Sequence, residues 1–177
     1  AALAITLLAP MPPLLFMGEE WGATTPFPFF CDFHGELADA VRAGRRREFA
    51  GAYETFGDDV PDPLAASTFK SAVLAWPDEG QTPLRLAFVR DLLRIRRTEL
   101  MPHLAGSAFA AAELRQDDRL LMARWRLGNG ALLHLRANIS DHAIPNDAAP
   151  MPGRSLWGGA LAARLPAWSV FWSMGEA

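Results

Sequence analysis

Arg119-Leu120-Leu121-Met122-Ala123-Arg124-Trp125-Arg126-Leu127 is the stretch whose spacing decides the fold. Leu121, Ala123, Trp125 and Leu127 share one side of an extended chain, and Leu120, Met122, Arg124 and Arg126 share the other, the period of two expected of a strand. The same alternation continues on either side. Phe109 to Arg115 precedes it across Gln116-Asp117-Asp118, and Ala131 to Ala137 follows it across Gly128-Asn129-Gly130, both sequences that favour tight turns. The closing segment alternates Trp168, Val170 and Trp172 with Ser169, Phe171 and Ser173, and reads as a last strand that pairs back onto this meander. Three or more strands with an apolar face can hold a core, so residues after Ser107 are expected to keep an independent β-fold.

Upstream the period becomes helical. Leu84, Phe88, Leu92 and Ile95 fall on one stripe from Pro83 to about Glu99, with Thr82 as N-cap, Pro83 at the first helical position and Pro102 as the stop. Arg94, Arg96 and Arg97 in its last turns read as a solvated basic helix end that suits the helix dipole. The domain boundary is expected between Leu100 and Ser107, giving 1–103 and 104–177. From Gly22 to Asp78 the chain is rich in Pro, Gly, Asp and aromatic residues, as in a long decorated loop, with a short helix over Glu36 to Phe49 and a further short element over Thr68 to Leu74. Leu14-Leu15-Phe16-Met17, bounded by prolines and Gly18, reads as a strand buried on both faces, as in a parallel sheet covered by helices. Ala1 to Ala9 reads as the end of a preceding helix. No basic segment precedes this apolar start and prolines break it, so it is read as the interior of a fold and not as a signal or membrane segment. Its unpaired strand is expected to seek shelter for Ala1 to Phe33, from a second copy of the chain or from the Pro83 to Glu99 helix.

The chain has 177 residues, 50% hydrophobic and 21% charged, enough for one ordinary core but short of the ~200 to 250 residues of a full eight-fold barrel. With 17 basic and 20 acidic side chains and a net charge of −3, it carries no basic surface that predicts nucleic acid. The single cysteine, Cys31, excludes an internal disulfide and makes cytoplasm the expected compartment.

Glu19 and Glu20 are the obvious carboxylate pair, at the end of the expected strand, where barrel enzymes place functional groups. Neighbours in an extended segment point to opposite sides. One of the two, Glu20, is then expected to face a barrel mouth, and the pair cannot be the facing carboxylates that glycoside hydrolysis uses. Either residue could equally cap a loop or helix. Trp21, Phe27, Phe29, Phe30 and Phe33 crowd the following loop, either as packing or as a cleft on which sugar rings stack, with Trp21 the best cleft candidate. Asp32 with His34 could do acid-base work or make a structural hydrogen bond. Asp58, Asp59 and Asp62 read as turn formers, and the spacing of His103, His134 and His142 is not that of a metal site. No metal and no cofactor is expected.

Pro13-Leu14-Leu15-Phe16-Met17-Gly18-Glu19-Glu20-Trp21-Gly22 resembles the eighth strand and following loop of the alpha-amylase family of glycoside hydrolases. The resemblance continues through Thr25-Pro26-Phe27, Phe29-Phe30-Cys31-Asp32-Phe33-His34, Gly44-Arg45-Arg46-Arg47-Glu48-Phe49 and Pro61-Asp62-Pro63. It extends to Arg90-Asp91-Leu92-Leu93-Arg94-Ile95-Arg96-Arg97, similar to the last barrel helix, and to Leu165-Pro166-Ala167-Trp168-Ser169-Val170, similar to the end of the C-terminal β-domain. His34 stands one place from where the family pattern would pair it with an Asp. The resemblance implies an α+β chain, the C-terminal remnant of a (β/α)8 barrel followed by an antiparallel β-sandwich domain, acting on an α-glucan by a retaining mechanism in the complete enzyme. Glu19, Glu20, Trp21 and Asp32 would be substrate contacts. The family's catalytic carboxylates lie on earlier strands and no motif for them occurs here, so the chain is expected to be inactive alone. A glycogen branching enzyme of the same family is a nearer alternative, against which the Phe29 to Phe49 string argues. A non-catalytic carbohydrate-binding or interaction module is the alternative from a different class.

Overall fold

Period-two alternation builds the sheet as the sequence predicts. The computed structural model describes residues 1–57, 60–76 and 84–176, so Asp58, Asp59 and the Thr82-Pro83 helix start lie outside the described residues. Strands β1 (Ala108–Arg115), β2 (Leu120–Arg126) and β3 (Leu132–Asn138) form the meander. The strands β4 (Ile144–Pro145), β5 (Arg154–Trp157), β6 (Arg164–Leu165) and β7 (Val170–Gly175) follow. The order in the five-stranded sheet is β1-β2-β3-β7-β5, every neighbour antiparallel, and β4 with β6 makes a separate two-stranded ribbon. At the β2–β3 turn Gly130 N–H donates to Leu127 O at 2.9 Å, and Asn129 Oδ1 accepts from Ala131 N–H at 3.1 Å.

The sheet has two differently covered faces. Ile144 and Leu165 of the ribbon pack with Leu120 and Phe171 on one, completing the sandwich. On the other, Leu133, Leu135, Ala137, Val170 and Trp172 share one core with helices α1 (Ala2–Leu8) and α5 (Leu84–Ile95). The β-strands therefore close one core among themselves, on the ribbon face, and share the other with the helices. Trp172 stacks on Trp125 with centroids 5.6 Å apart, and its indole N–H donates to Ala4 O at 3.1 Å, tying α1 to the sheet. Asn138, fully buried, ties the end of β3 to β6: its amide donates to the carbonyls of His142, Leu165 and Pro166, and its Oδ1 accepts from Ser140.

The basic end of α5 differs from its sequence reading. After Ile95 the chain makes a π-helical turn, Arg96–Leu100, before the short turn at Met101–His103. Arg94 is exposed beside Asp91, as expected of a solvated helix end. Arg96 is only 6% exposed, and its guanidinium donates to Leu7 O at 3.0 Å, Ala9 O at 2.7 Å and Met11 O at 2.6 Å. Leu7 O is one of the carbonyls that α1 leaves open at its C-terminal end, and Ala9 O and Met11 O follow at and beyond its C-cap, so the side chain acts as a cap delivered from another helix. α1 thus packs against α5, whereas Leu14, Phe16 and Met17 of the segment expected to be sheltered are exposed.

Two compact units divide the chain: Ala1–Leu15 with residues from Leu84 onward, and Phe16–Pro83. The second carries α2 (Gly35–Glu48), α3 (Ala50–Phe56) and α4 (Ala66–Ser71). α2 and α4 match the expected short elements, whereas α3 was not expected. The strand expected over Leu14–Met17 is absent, and Leu14 is 89% exposed. A strand exists through its ladder, and none of the described strands pairs with this segment. Pro12 and Pro13 lack N–H donors, and both polar groups of Phe16 are already used, its N–H by Glu19 Oε2 at 2.8 Å and its carbonyl by Glu19 N–H at 3.0 Å.

Candidate functional site

The Phe16–Pro83 unit carries the candidate contacts Glu19, Glu20, Trp21 and Asp32, and a tight turn at Gly18 organises the first three. Gly18 has φ +90°, and a Cβ there would lie 2.7 Å from that of Ala23, so both backbone conformation and space demand glycine. Its carbonyl accepts from the N–H groups of Trp21, Gly22 and Ala23. The chain therefore turns through Glu19 and Glu20, and the strand alternation that would send them to opposite sides does not apply. Each carboxylate instead closes the turn: Glu19 accepts from Phe16 N–H at 2.8 Å, and Glu20 Oε2 from Gly18 N–H at 3.0 Å. Glu19 is exposed and Glu20 half-buried.

Trp21 leaves this turn against Trp76, with ring centroids 5.1 Å apart and planes at 31°. Trp76 is 78% exposed and carried no signal in the sequence, since no periodicity linked it to Trp21. The phenylalanines make internal contacts of two kinds. Phe16, Phe27, Phe30 and Phe69 make successive edge-to-face contacts with centroids 4.8 to 5.6 Å apart, which is packing. Phe29 takes the Arg45 guanidinium over its face at 4.8 Å, and Phe49 takes the same group at 4.2 Å.

Asp32 lies at a cavity of about 480 Å³ lined by Phe30, Cys31, Pro63, Leu64, Ala66 and Phe69. Its walls are pinned by Cys31 N–H donating to Pro63 O at 2.9 Å and by Thr68 Oγ1 donating to Asp62 O at 2.5 Å. Asp62 acts as the expected turn former, its carboxylate accepting from Leu64 N–H at 3.1 Å, and it also pairs with Arg42 at 3.2 Å. Asp32 and His34 are 3.8 Å apart with nearly bare side chains, an exposed pair that solvent screens. Structurally, the loop offers an apolar cavity with one solvent-exposed carboxylate at its edge, and a turn bearing a half-covered indole. It has acceptors and aromatic faces for a neutral hydroxylated ligand. Among the described residues no group of His, Cys, Asp and Glu could hold a metal ion.

Residues 107–172 match the family described as "Domain of unknown function (DUF3459)". Across the chain, the alignment to the malto-oligosyltrehalose trehalohydrolase of Brevibacterium helvolum covers 96% of it at 35% identity, and that to the Rhizobium enzyme of the same name covers 88% at 38%. The chain resembles the C-terminal part of malto-oligosyltrehalose trehalohydrolases. A shorter alignment to the Deinococcus radiodurans trehalohydrolase, over 56% of the chain, reaches 49% identity. The matched segments span 17% of the Deinococcus trehalohydrolase, 25% of the Rhizobium one and 29% of the Brevibacterium one. In structure, a Salmonella typhimurium protein provisionally described as an alpha amylase superposes with a TM-score of 0.80 at 36% identity, over 99% of this chain and 30% of its own. The α+β architecture, helices followed by an antiparallel sandwich, is thus shared with this alpha-amylase-like neighbour.

Proposed function

We propose that this chain serves as the C-terminal part of a glycoside hydrolase that releases trehalose from maltooligosyl trehalose by cleaving an α-1,4-glucosidic bond. The observation that carries this reading is the 35% to 38% identity to trehalohydrolases that runs over nine-tenths of the chain. In this reading residues 1–103 complete the catalytic barrel and 104–177 form the β-domain. The complete enzyme acts by the retaining two-carboxylate route, with nucleophile and general acid supplied by sequence other than these residues, so the chain by itself is not a catalyst. Glu20, Trp21, Glu19 and Asp32 contact the α-glucan. Trp21 offers a ring face to a pyranose, and the carboxylates accept its hydroxyl groups. Cytoplasm is the compartment we assign, and among the described residues no helix is long and apolar enough to cross a membrane.

Because Glu20 is the more covered of the two turn carboxylates, its loss in the complete enzyme is expected to lower kcat/KM more than loss of Glu19. The test is steady-state release of trehalose from maltotriosyl trehalose by Glu20→Gln, Glu19→Gln and Trp21→Ala. Wild-type kinetics in Glu20→Gln and Trp21→Ala would remove the turn from the substrate site.

A further inference from the structure

The second face of the five-stranded sheet holds an unneutralised positive charge beside a cavity. Strand register places Arg124, His134, Ser173 and Ser155 in one row across β2, β3, β7 and β5, and Met122, Arg136 and Phe171 in the next. Arg136 is 5% exposed. It donates to Asn146 Oδ1 at 2.9 Å and to the carbonyl of Ala149, yet its Nε, like Nε2 of His134 two residues away, is buried with no hydrogen-bond partner. Among the described residues no carboxylate lies within ion-pair distance of Arg136 or Arg124, and the nearby Glu113 is engaged by Arg115 at 2.5 Å. A buried cation that lacks a counter-charge is costly, and nature ordinarily pairs it.

Arg136 lines two cavities on this face. The larger, about 480 Å³, is also bounded by Asn146, Ser155, Ser173 and residues 159–163. The smaller, about 260 Å³, adds Arg124, His134 and Glu113. A bare ion would leave most of the larger space empty, whereas a small molecule of several heavy atoms fits the range of ligand cavities. Its polar walls are the Ser155 and Ser173 hydroxyls and the Asn146 carboxamide, which donate to Gly159 O, Pro152 O and Ala162 O, so the hydroxyl oxygens remain as acceptors for hydroxyls on the ligand.

We propose that the β-domain binds a small hydroxylated molecule through an oxyanion, a phosphate or carboxylate group held by Arg136 with Arg124 adding to the field, its carrier filling the cavity between Asn146, Ser155 and Ser173. Burial and the neighbouring Arg115 both disfavour the charged form of Arg136, and an oxyanion would relieve both. His134 is likewise held below its ordinary value by burial and by Arg124 and Arg136, consistent with a local excess of positive charge.

Isothermal titration of the chain, at ionic strength held constant with chloride, tests this with inorganic phosphate, acetate, glucose 6-phosphate and glucose. Saturable binding of phosphate or acetate is expected, with the stronger of the two identifying the oxyanion, and glucose 6-phosphate or a hydroxylated carboxylate binding more tightly than the bare ion. Arg136→Gln is expected to weaken binding ~10-fold or more, the loss of a charged hydrogen bond. Since Arg136 also holds the 146–149 loop, Ala160→Trp provides the second variant: it fills the larger cavity while leaving Arg136 in place, and is expected to abolish the preference for the hydroxylated ligand. No saturation by either ion overturns the proposal, as does equal binding of glucose and glucose 6-phosphate. Indifference of glucose 6-phosphate to Ala160→Trp overturns the assignment of the cavity.

Discussion

Replacing Arg96 by methionine keeps most of the aliphatic stem and removes the guanidinium that three carbonyls share. Of those carbonyls, Met11 belongs to a residue 57% exposed and can turn to water, whereas Leu7 and Ala9 belong to residues at 0% and 4%. Each buried acceptor left without a partner costs ~1 to 3 kcal/mol. Part of this is offset because a buried cation no longer needs desolvation, the same burial that lowers the Arg96 pKa. The net expected loss is ~2 to 4 kcal/mol. With a urea slope of ~2 kcal/mol/M, the midpoint should fall by ~1 to 2 M. Trp172, whose indole reaches Ala4 O in α1, is well placed to report the transition by fluorescence. Arg94→Met is the control, since Arg94 makes only an exposed pair with Asp91 and its loss should cost under ~0.5 kcal/mol. Equal midpoints for the two variants would refute the capping role of Arg96.

Gly128 sits where a Cβ would lie 1.7 Å from Ala105 O, and its N–H donates to His103 O at 2.8 Å, so Gly128→Ala forces the β2–β3 turn from its neighbour. Thermal melts should show a loss of ~3 kcal/mol, and an unchanged Tm would contradict the packing. Glu99 is held below its ordinary carboxylate value first by its hydrogen bond from Arg154, at 2.6 Å. A folded pKa below the unfolded one gives stability that is present above the carboxylate range and lost as pH falls through it. With Arg154 60% exposed the amount is under ~1 kcal/mol, and Glu99→Gln should flatten the acid limb of the stability profile by that amount, with a steeper limb counting against the pair. His134 is depressed first by burial, so the unfolded chain takes up its proton before the native one, and stability falls as pH drops through the ordinary histidine range. His134→Gln should remove that step from urea midpoints measured across this range, and its persistence would place the titration elsewhere.

The β1–β3 meander was legible because side-chain alternation and the Gly128-Asn129-Gly130 turn are local properties. The ribbon of Ile144–Pro145 with Arg164–Leu165 was not, since two residues per strand show no period and their pairing depends on a contact about twenty residues away. β5 escaped notice for a related reason: Arg154–Trp157 is held by β7, with a register shift between Ser155 and Trp157. Arg96 illustrates a different limit. Three arginines at a helix end look alike in sequence, and only the π-helical turn and the arrival of α1 bury one of them. At the candidate site, Glu19, Glu20, Trp21 and Asp32 were found by residue type. The facing assigned to the two glutamates assumed extended backbone, which the turn at Gly18 replaces, and Trp76 as the partner of Trp21 had no local signal at all.

The central claim, that this chain completes a trehalohydrolase without being a catalyst itself, is tested most directly by assaying trehalose release from maltotriosyl trehalose. The assay compares the isolated chain with the Rhizobium trehalohydrolase carrying it in place of the segment it matches. The account predicts no release by the chain alone, because a hydrolase without its nucleophile and general acid forgoes the ~8 kcal/mol or more of barrier lowering that enzymes supply, and retained release by the folded chimera. Release by the chain alone in proportion to its concentration, or a folded chimera that binds substrate but releases no trehalose, would contradict it.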